Sequence, residues 1–324
     1  MVPFLFRKKG ARVSSEPLSN SARFHSRFGG LWIDRSDWQV ELDARLRDGR
    51  IGPATGALIP EFVRNGFVIL RGGAEAAAID AFQDDIARSF RQGNEHLLYQ
   101  LPGAQQPSPV SAGLDRRGTR IVDAFAVMPE ARRLFASSFL IDFLTSIFDQ
   151  DPLLFQSLSF DQGSEQGLHQ DTAYVVVDRP LEFAACWIAL EDVKPGAGEL
   201  IYVPGSHRFD DFDFNGKKYW SPDEDGNDKH QEWARWLYTE TERCGLSVES
   251  FLARRGDVLI WHADLAHGGR PIVDPTLTRQ SLVGHFCPAG RRPHYFSHAP
   301  QRAVVRSAER LHYSSFYYDL SDTP

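Results

Sequence analysis

The sequence is poor in sulfur: 3 cysteines and 2 methionines in 324 residues. Cys186, Cys244 and Cys287 are odd in number, far apart and never in a CxxC spacing. That pattern argues against a disulfide scaffold or a thiolate zinc site and fits a reducing compartment, so a cytoplasmic protein is expected. Long apolar runs are missing too. No stretch approaches the ~20 residues of a bilayer crossing, and no integral membrane span is expected. Positive charge is not in excess: 36 Lys and Arg stand against 43 Asp and Glu, a net charge of −7 with His neutral. No basic field exists to hold a nucleic-acid backbone. Internal repeats and low-complexity tracts are absent.

What the chain does hold is core-forming material. Hydrophobic residues make up 42% and aromatics 12%, which excludes disorder for the bulk. Through residue 30 the only acid is Glu16, and the apolar Val2-Pro3-Phe4-Leu5-Phe6 precedes Arg7-Lys8-Lys9, the reverse of a signal peptide. Residues 1–30 read as a flexible basic arm, with a transit peptide or surface-docking tail as the alternative. Residues 31–324 read as one domain. Its first part, to about residue 150, is mostly helical in pattern. Ile79, Phe82, Ile86 and Phe90, at spacings of 3, 4 and 4, predict an amphipathic helix over 76–92. A buried strand is expected at 66–72 and further helix over 131–148. From residue 152 short β-branched and aromatic runs (173–177, 183–190, 200–203, 258–261, 280–286) alternate with Gly, Pro and Asp turns, the texture of a sandwich or barrel. Residues 209–247 interrupt it with an acidic, aromatic stretch and a helix over 231–243 whose Trp233, Trp236 and Leu237 share a face. This insertion is expected to act as a lid.

The sharpest local signal is Leu168-His169-Gln170-Asp171. On a strand, residues i and i+2 share a face, so His169 and Asp171 can ligate one metal. With a second histidine from elsewhere they complete a facial triad whose open positions suit non-haem Fe(II) and O2. A His-x-Asp alone is a common accident; a turn histidine beside a capping Asp looks the same. Downstream, an apolar run from Gly256 ends in His262 and His267, five residues apart and so on opposite faces of a strand. Arg279 follows His267 by twelve residues and shares a strand face with Ser281. A guanidinium fork beside a hydroxyl is built for a carboxylate, and an inward Arg on an apolar strand has little use without an anion.

These residues resemble the phytanoyl-CoA dioxygenase family of iron(II)/2-oxoglutarate-dependent oxygenases. The resemblance covers about residues 60–290. It rests on His169-Gln170-Asp171, on Cys186-Trp187-Ile188-Ala189-Leu190-Glu191-Asp192, on Gly198-Glu199-Leu200 leading to Val203-Pro204-Gly205-Ser206-His207-Arg208, on the run from Gly256 to Gly269, and on Arg279. It implies an all-β core with flanking helices, a double-stranded β-helix or jelly-roll barrel of cupin type. It implies Fe(II) held by His169, Asp171 and His267, the last preferred to His262 because it stands directly before Gly268-Gly269. Arg279, with Ser281 beside it, is implied to bind the far carboxylate of 2-oxoglutarate, with Trp187 next to that cosubstrate. Gln156 is implied to touch it, with Ser157 or Ser159 as alternatives in register. Gln170, Tyr174 and Trp261 are candidate substrate contacts. His207 reads as a structural turn residue and His285 as a core residue or a neighbour of the ligands.

The implied reaction consumes 2-oxoglutarate and O2, releases succinate and CO2, and hydroxylates an unactivated C–H bond of a small-molecule metabolite. Related halogenases carry a small residue in place of the ligand carboxylate; Asp171 is intact, which favours hydroxylation over halogenation. Two other classes compete: a non-catalytic sensor of metal and 2-oxoglutarate on the same fold, and a zinc hydrolase, which leaves Arg279 without a role. The acids of the insertion, among them Asp210, Asp211, Asp213 and Asp223, suggest a neutral or cationic substrate group if they reach the cavity, and a solvated acidic loop if they do not.

Overall fold

The computed structural model describes residues 24–321. In chain order its main elements are α1 (Trp38–Arg47), α2 (Pro53–Asn65), β1 (Phe67–Leu70), α3 (Ala76–Gln92), β2 (Asn94–Gln100), β3 (Ser108–Val110), β4 (Arg120–Val122), α4 (Pro129–Phe135), α5 (Ser138–Phe148) and β5 (Pro152–Phe160). They continue as β6 (Ala184–Ala189), β7 (Leu200–Tyr202), α6 (Pro222–Arg243), β8 (Glu249–Phe251), β9 (Val258–His262), β10 (His267–Gly269), β11 (Ser281–Pro288), α7 (Tyr295–His298), β12 (Arg306–Ala308) and β13 (Leu311–Tyr313). Among the described residues the large sheet runs β1-β9-β6-β11-β5-β4-β2-β3, with β13 and β12 added beside β5, and the small one runs β10-β7-β8.

Strand β6 shows why two sheets and a helical layer form. All six of its residues are buried, so both faces are covered. Side chains alternate across a strand: Ala184, Cys186 and Ile188 join Val258, Ile260 and Leu282 in the core under the helices, while Ala185, Trp187 and Ala189 meet Leu200, Tyr202 and Phe251 of the small sheet. The outer core is closed by α3, whose Ile79, Phe82, Ile86 and Phe90 are buried as their spacing predicts. Helix α2 carries Pro60 in its interior. That costs about 3 kcal/mol, and burial of Ile59, Phe62 and Val63, each worth about 1.5–3 kcal/mol, outweighs it.

The architecture is the double-stranded β-helix, a large and a small sheet facing each other. The expected barrel is corrected in one respect: the hydrogen-bond ladder does not close, and near the site the loop bearing His169 joins the small sheet through an isolated bridge to His267 of β10. Other expectations also change. Residues 94–122, read as part of a helical region, supply β2, β3 and β4. The helix expected over 131–148 is split into α4 and α5 at Ala136 and Ser137. Residues 173–177 are not a strand, because a single 3₁₀ turn over Asp171–Ala173 starts that segment. Helix α6 begins nine residues before 231 and is kinked at Gly226, where φ is 67°. Of the arm expected over 1–30, residues 1–23 lie outside the described residues; Phe24 pairs with Arg35 and Ser26 donates to Asp211 at 2.9 Å.

Candidate metal centre and its cavity

His169 and His267 exchange both backbone hydrogen bonds, at 2.8 and 2.9 Å, which stacks their rings with centroids 4.4 Å apart. Each ring is then turned the same way by its own chain. His169 Nδ1 donates to the Gly167 carbonyl at 3.0 Å and His267 Nδ1 to that of Leu265 at 2.9 Å. A carbonyl can only accept, so both Nδ1 atoms carry the proton and both Nε2 atoms present a lone pair. Asp171 is not on a strand with His169, as the i, i+2 argument supposed. It starts the 3₁₀ turn, yet its Oδ1 lies 3.8 Å from His169 Nε2 and 3.6 Å from His267 Nε2. One ligand atom from each of the three residues falls within 4.8 Å of the others, and all three are buried. Gly268 permits this: a Cβ there would lie 2.6 Å from the Gln166 carbonyl, so the segment bearing His169 could not lie against β10.

The electrostatics suit a cation. Burial, then His267, pushes the His169 imidazole down to about 3, so it is neutral and able to ligate. Burial works against a charged Asp171, but the surrounding imidazoles, His267 first and then His285, outweigh it where they carry a proton and hold the carboxyl below its ordinary range. Two nitrogens and a carboxylate oxygen with open positions are the donor set that suits Fe(II).

The three residues stand in a cavity of about 240 Å³ between the sheets. Of the residues expected around them, Arg279, Trp187, Gln156, Tyr174 and Trp261 line it. Arg279 is buried, donates from Nη1 to the Gly198 carbonyl at 2.9 Å, and has no partner for Nε. Burial lowers its guanidinium to about 10, still charged at neutral pH. Trp187 keeps its Nε1 without a partner. Such orphaned donors in a dry wall are what an absent anionic ligand would satisfy. Ser281 is fully buried with a partnerless Oγ and sits on the strand face of Val283 and His285, which line the cavity, without lining it itself. Gln156 faces in; Ser157 and Ser159 are buried on the other face, Ser159 donating to the Ser281 carbonyl at 3.1 Å.

One candidate substrate contact is corrected: Gln170 turns away and donates to the Asp264 carbonyl at 2.9 Å. Trp261 lines the cavity, and its indole N–H donates to Asp171 Oδ2 at 2.8 Å. Tyr174 fits its expected place, with its hydroxyl 2.6 Å from His230 Nε2 and its ring beside His169. His262 points to the opposite side, 3.3 Å from Asp34 Oδ1, and His207 is tied to the Val63 carbonyl at 3.0 Å. His285, read as core or near the ligands, has Nε2 3.4 Å from Asp171 Oδ2. No described residue of 209–247 lines the cavity. That segment meets the lining residues through Trp220, His230 and Trp233, packed around Tyr174, and through Tyr219 against His294. Its acids are engaged elsewhere: Asp211 with Lys218, Asp213 with Arg27, Asp225 with Lys217. Sequence reading missed Arg120, Asp123, Tyr295, Phe316 and Tyr317, which complete the wall. Asp123 is fully buried, and desolvation raises its carboxyl to about 7 despite hydrogen bonds from Ser315 and Ser157.

Known proteins resemble the chain in sequence and in fold. A curated relative, phytanoyl-CoA dioxygenase 1 from Oryza sativa subsp. japonica, is 32% identical over 123 residues, which is 38% of this chain and 39% of that protein. Among solved structures, the non-heme alpha ketoglutarate dependent epimerase SnoN from nogalamycin biosynthesis superposes with a TM-score of 0.55 at 18% identity, covering 81% of this chain and 98% of that one. The carbocyclase SnoK from nogalamycin biosynthesis gives 0.53 at 16% identity, over 71% and 82% of the two chains. These likenesses concern the fold. The sequence model described as Phytanoyl-CoA dioxygenase (PhyH) matches residues 62–279, a span that runs from α2 through His169 and His267 to Arg279, and by that match the chain belongs to the phytanoyl-CoA dioxygenase family.

Proposed function

We propose that the protein is an iron(II)- and 2-oxoglutarate-dependent dioxygenase that hydroxylates an unactivated C–H bond of a small-molecule metabolite, with release of succinate and CO2. The observation that carries this reading is the pairing of two elements in one cavity: the buried His169, Asp171 and His267 donors and the buried Arg279 guanidinium. A zinc hydrolase needs the first and has no use for the second. Membership of the family supports the same reading. The three unpaired thiols suit a reducing, cytoplasmic setting.

In this proposal His169, Asp171 and His267 hold the iron, and Arg279 holds the far carboxylate of 2-oxoglutarate, with Trp187 and Gln156 alongside. Iron(II) with 2-oxoglutarate and O2 supplies the oxidising power that an unactivated C–H bond demands, which no side chain can provide. The chain's own residues bind and orient. Nδ1 of each ligand histidine is locked to a backbone carbonyl, so neither ring can rotate its lone pair away. Trp261 fixes which Asp171 oxygen faces the histidines. Leu158, Phe160, Val175 and Val283 supply an apolar part of the wall, which limits water at the reacting centre.

The test is succinate formation by protein loaded anaerobically with Fe(II), then given ascorbate, 2-oxoglutarate and air, across a metabolite panel. Succinate release above the substrate-free rate, with a product heavier by one oxygen atom, is the expected result. No succinate from fully iron-loaded protein favours the sensor. Turnover that needs zinc and ignores O2 favours the hydrolase.

A further inference from the structure

Arg279 is not the only cation in the cavity wall. Arg120 opens β4, opposite Phe160 of β5 and Gln100 of β2, and all three line the cavity with Tyr317. Its single hydrogen bond is Nη2 to Gln100 Oε1 at 2.7 Å, and its buried Nε has no partner. Among the described residues no carboxylate lies within ion-pair distance of it. The neighbouring arginines differ: Arg116 pairs with Asp161 at 2.8 Å and Arg117 with Asp115 at 2.8 Å. Asp123, three residues on, does not serve, since its oxygens accept from Ser157 and Ser315, each at 2.7 Å. Burial lowers the Arg120 guanidinium, with only the Tyr317 phenol acting against it. A half-buried guanidinium with one of its five donors engaged is costly unless an anion arrives.

Charge balance says which anion. With the cofactors held as proposed above, the two positive charges of iron and the one on Arg279 meet the two negative charges of 2-oxoglutarate and the one on Asp171. Asp123 shares the wall but burial keeps its proton up to about 7, so below that Arg120 is left over. We propose that Arg120, held by Gln100, is the anchor for a carboxylate on the substrate, so that the substrate is a small organic acid whose body lies against Phe160, Phe316 and Tyr317. The acids of the insertion, which suggested a neutral or cationic substrate, do not reach the cavity. This inference rests on the dioxygenase reading for its charge balance. A 2-oxoglutarate carboxylate is the other possible source of the same chemistry, and the test separates the two.

Protein carrying Zn(II) in place of iron, saturated with 2-oxoglutarate, is titrated with hexanoate and phenylacetate and with the matching amides, and the fluorescence of cavity tryptophans Trp187 and Trp261 is followed. The acids are expected to bind about tenfold or more tightly than the amides, the effect of one charged hydrogen-bonded pair. Arg120→Gln should remove that preference while changing the KM for 2-oxoglutarate, measured as substrate-free succinate formation with iron, by less than about threefold, well below the tenfold that losing a charged contact costs. A wild-type protein that does not distinguish acid from amide overturns the proposal. So does an Arg120→Gln variant that keeps the preference and raises the KM for 2-oxoglutarate, since Arg120 then serves the cosubstrate. If the Gln variant does not fold, Arg120→Met removes the charge and leaves no unpaired donors in the wall, and an undiminished acid preference in it likewise overturns the proposal. The binding arm needs no turnover: acid preference without succinate formation sinks the dioxygenase reading alone, and succinate formation without acid preference sinks this one alone.

Discussion

Trp261 Nε1 donates to Asp171 Oδ2 at 2.8 Å, leaving Oδ1 to face His169 and His267. The tryptophan comes from β9 and the aspartate from a turn ninety residues earlier in the chain, so the large sheet directly sets the orientation of the carboxylate. The first prediction follows. Trp261→Phe keeps an aromatic ring but loses the donor and the volume of the second ring, at a buried position. Metal affinity should fall roughly 10–100-fold, as for other lost supports of a metal ligand, with global stability reduced by about 1–3 kcal/mol through the lost hydrogen bond and the space left behind. Co(II) or Fe(II) titration followed by absorbance, beside a urea melt, reads both. Unchanged metal affinity would show that the carboxylate orients itself.

The two histidines that end the 258–267 run make a second, sharper comparison. His267 Nε2 faces Asp171, whereas His262 accepts from the Asp264 amide at 3.1 Å and faces Asp34. His267→Ala should abolish metal binding while leaving the fold. His262→Gln should retain metal binding and lose about 1–3 kcal/mol of stability, because it disturbs a buried polar contact. Loss of metal in the His262 variant with retention in the His267 variant would invert the assignment.

Much of this site was legible in the chain because its parts are local. His-x-Asp, the His-Gly-Gly of β10 and the Arg that precedes β11 are short words whose spacing survives any detail of folding, and the helix over 76–92 follows from one periodicity. What was not legible depends on register and on distant partners. The hydrogen bond from Trp261 to Asp171 was not legible, because nothing in the sequence says that an indole will meet a carboxylate in another turn. Gln170 lies next to both candidate ligands in the chain, but a residue between i and i+2 turns the opposite way, so nearness in sequence does not bring it to the cavity. Arg120 sits in a three-residue strand inside a region of helical texture, too short for a period-2 signal. Tyr317 and Phe316 reach the cavity only because β13 docks in parallel on β5, a pairing between segments far apart in the chain.

Asp123 predicts a pH dependence. Its folded carboxyl is raised to about 7 from an ordinary value of 3.8, chiefly by burial. Between those values the native state holds a proton that the unfolded chain has released. Stability therefore falls as pH rises through this window and levels off above about 7. Asp123→Asn removes this dependence whatever it does to absolute stability, since the amide cannot titrate. Urea melts of both proteins from pH 4.5 to 8 measure it. A wild-type curve no steeper than that of the variant would mean that the hydrogen bonds from Ser157 and Ser315 keep Asp123 ionised throughout.

Lys218 ties the insertion to the floor of the site, and its removal tests how firmly. The ammonium is buried between Asp211 at 2.8 Å and Asp264 at 2.6 Å. Asp264 in turn accepts from the Thr172 hydroxyl at 2.6 Å, one residue after the ligand Asp171, and its carbonyl takes the Gln170 amide. Lys218→Met leaves two carboxylates facing each other without a counter-charge in a dry interior, and breaking a buried pair this way costs about 3–5 kcal/mol. If the loss is electrostatic rather than steric, adding Asp264→Asn should return part of it, because one stranded charge goes and the Thr172 contact can be kept by the amide oxygen. The double variant should then be more stable than Lys218→Met alone. A double variant that is less stable would mean that Asp264 holds the Asp171 turn by itself, with Lys218 contributing packing and no charge.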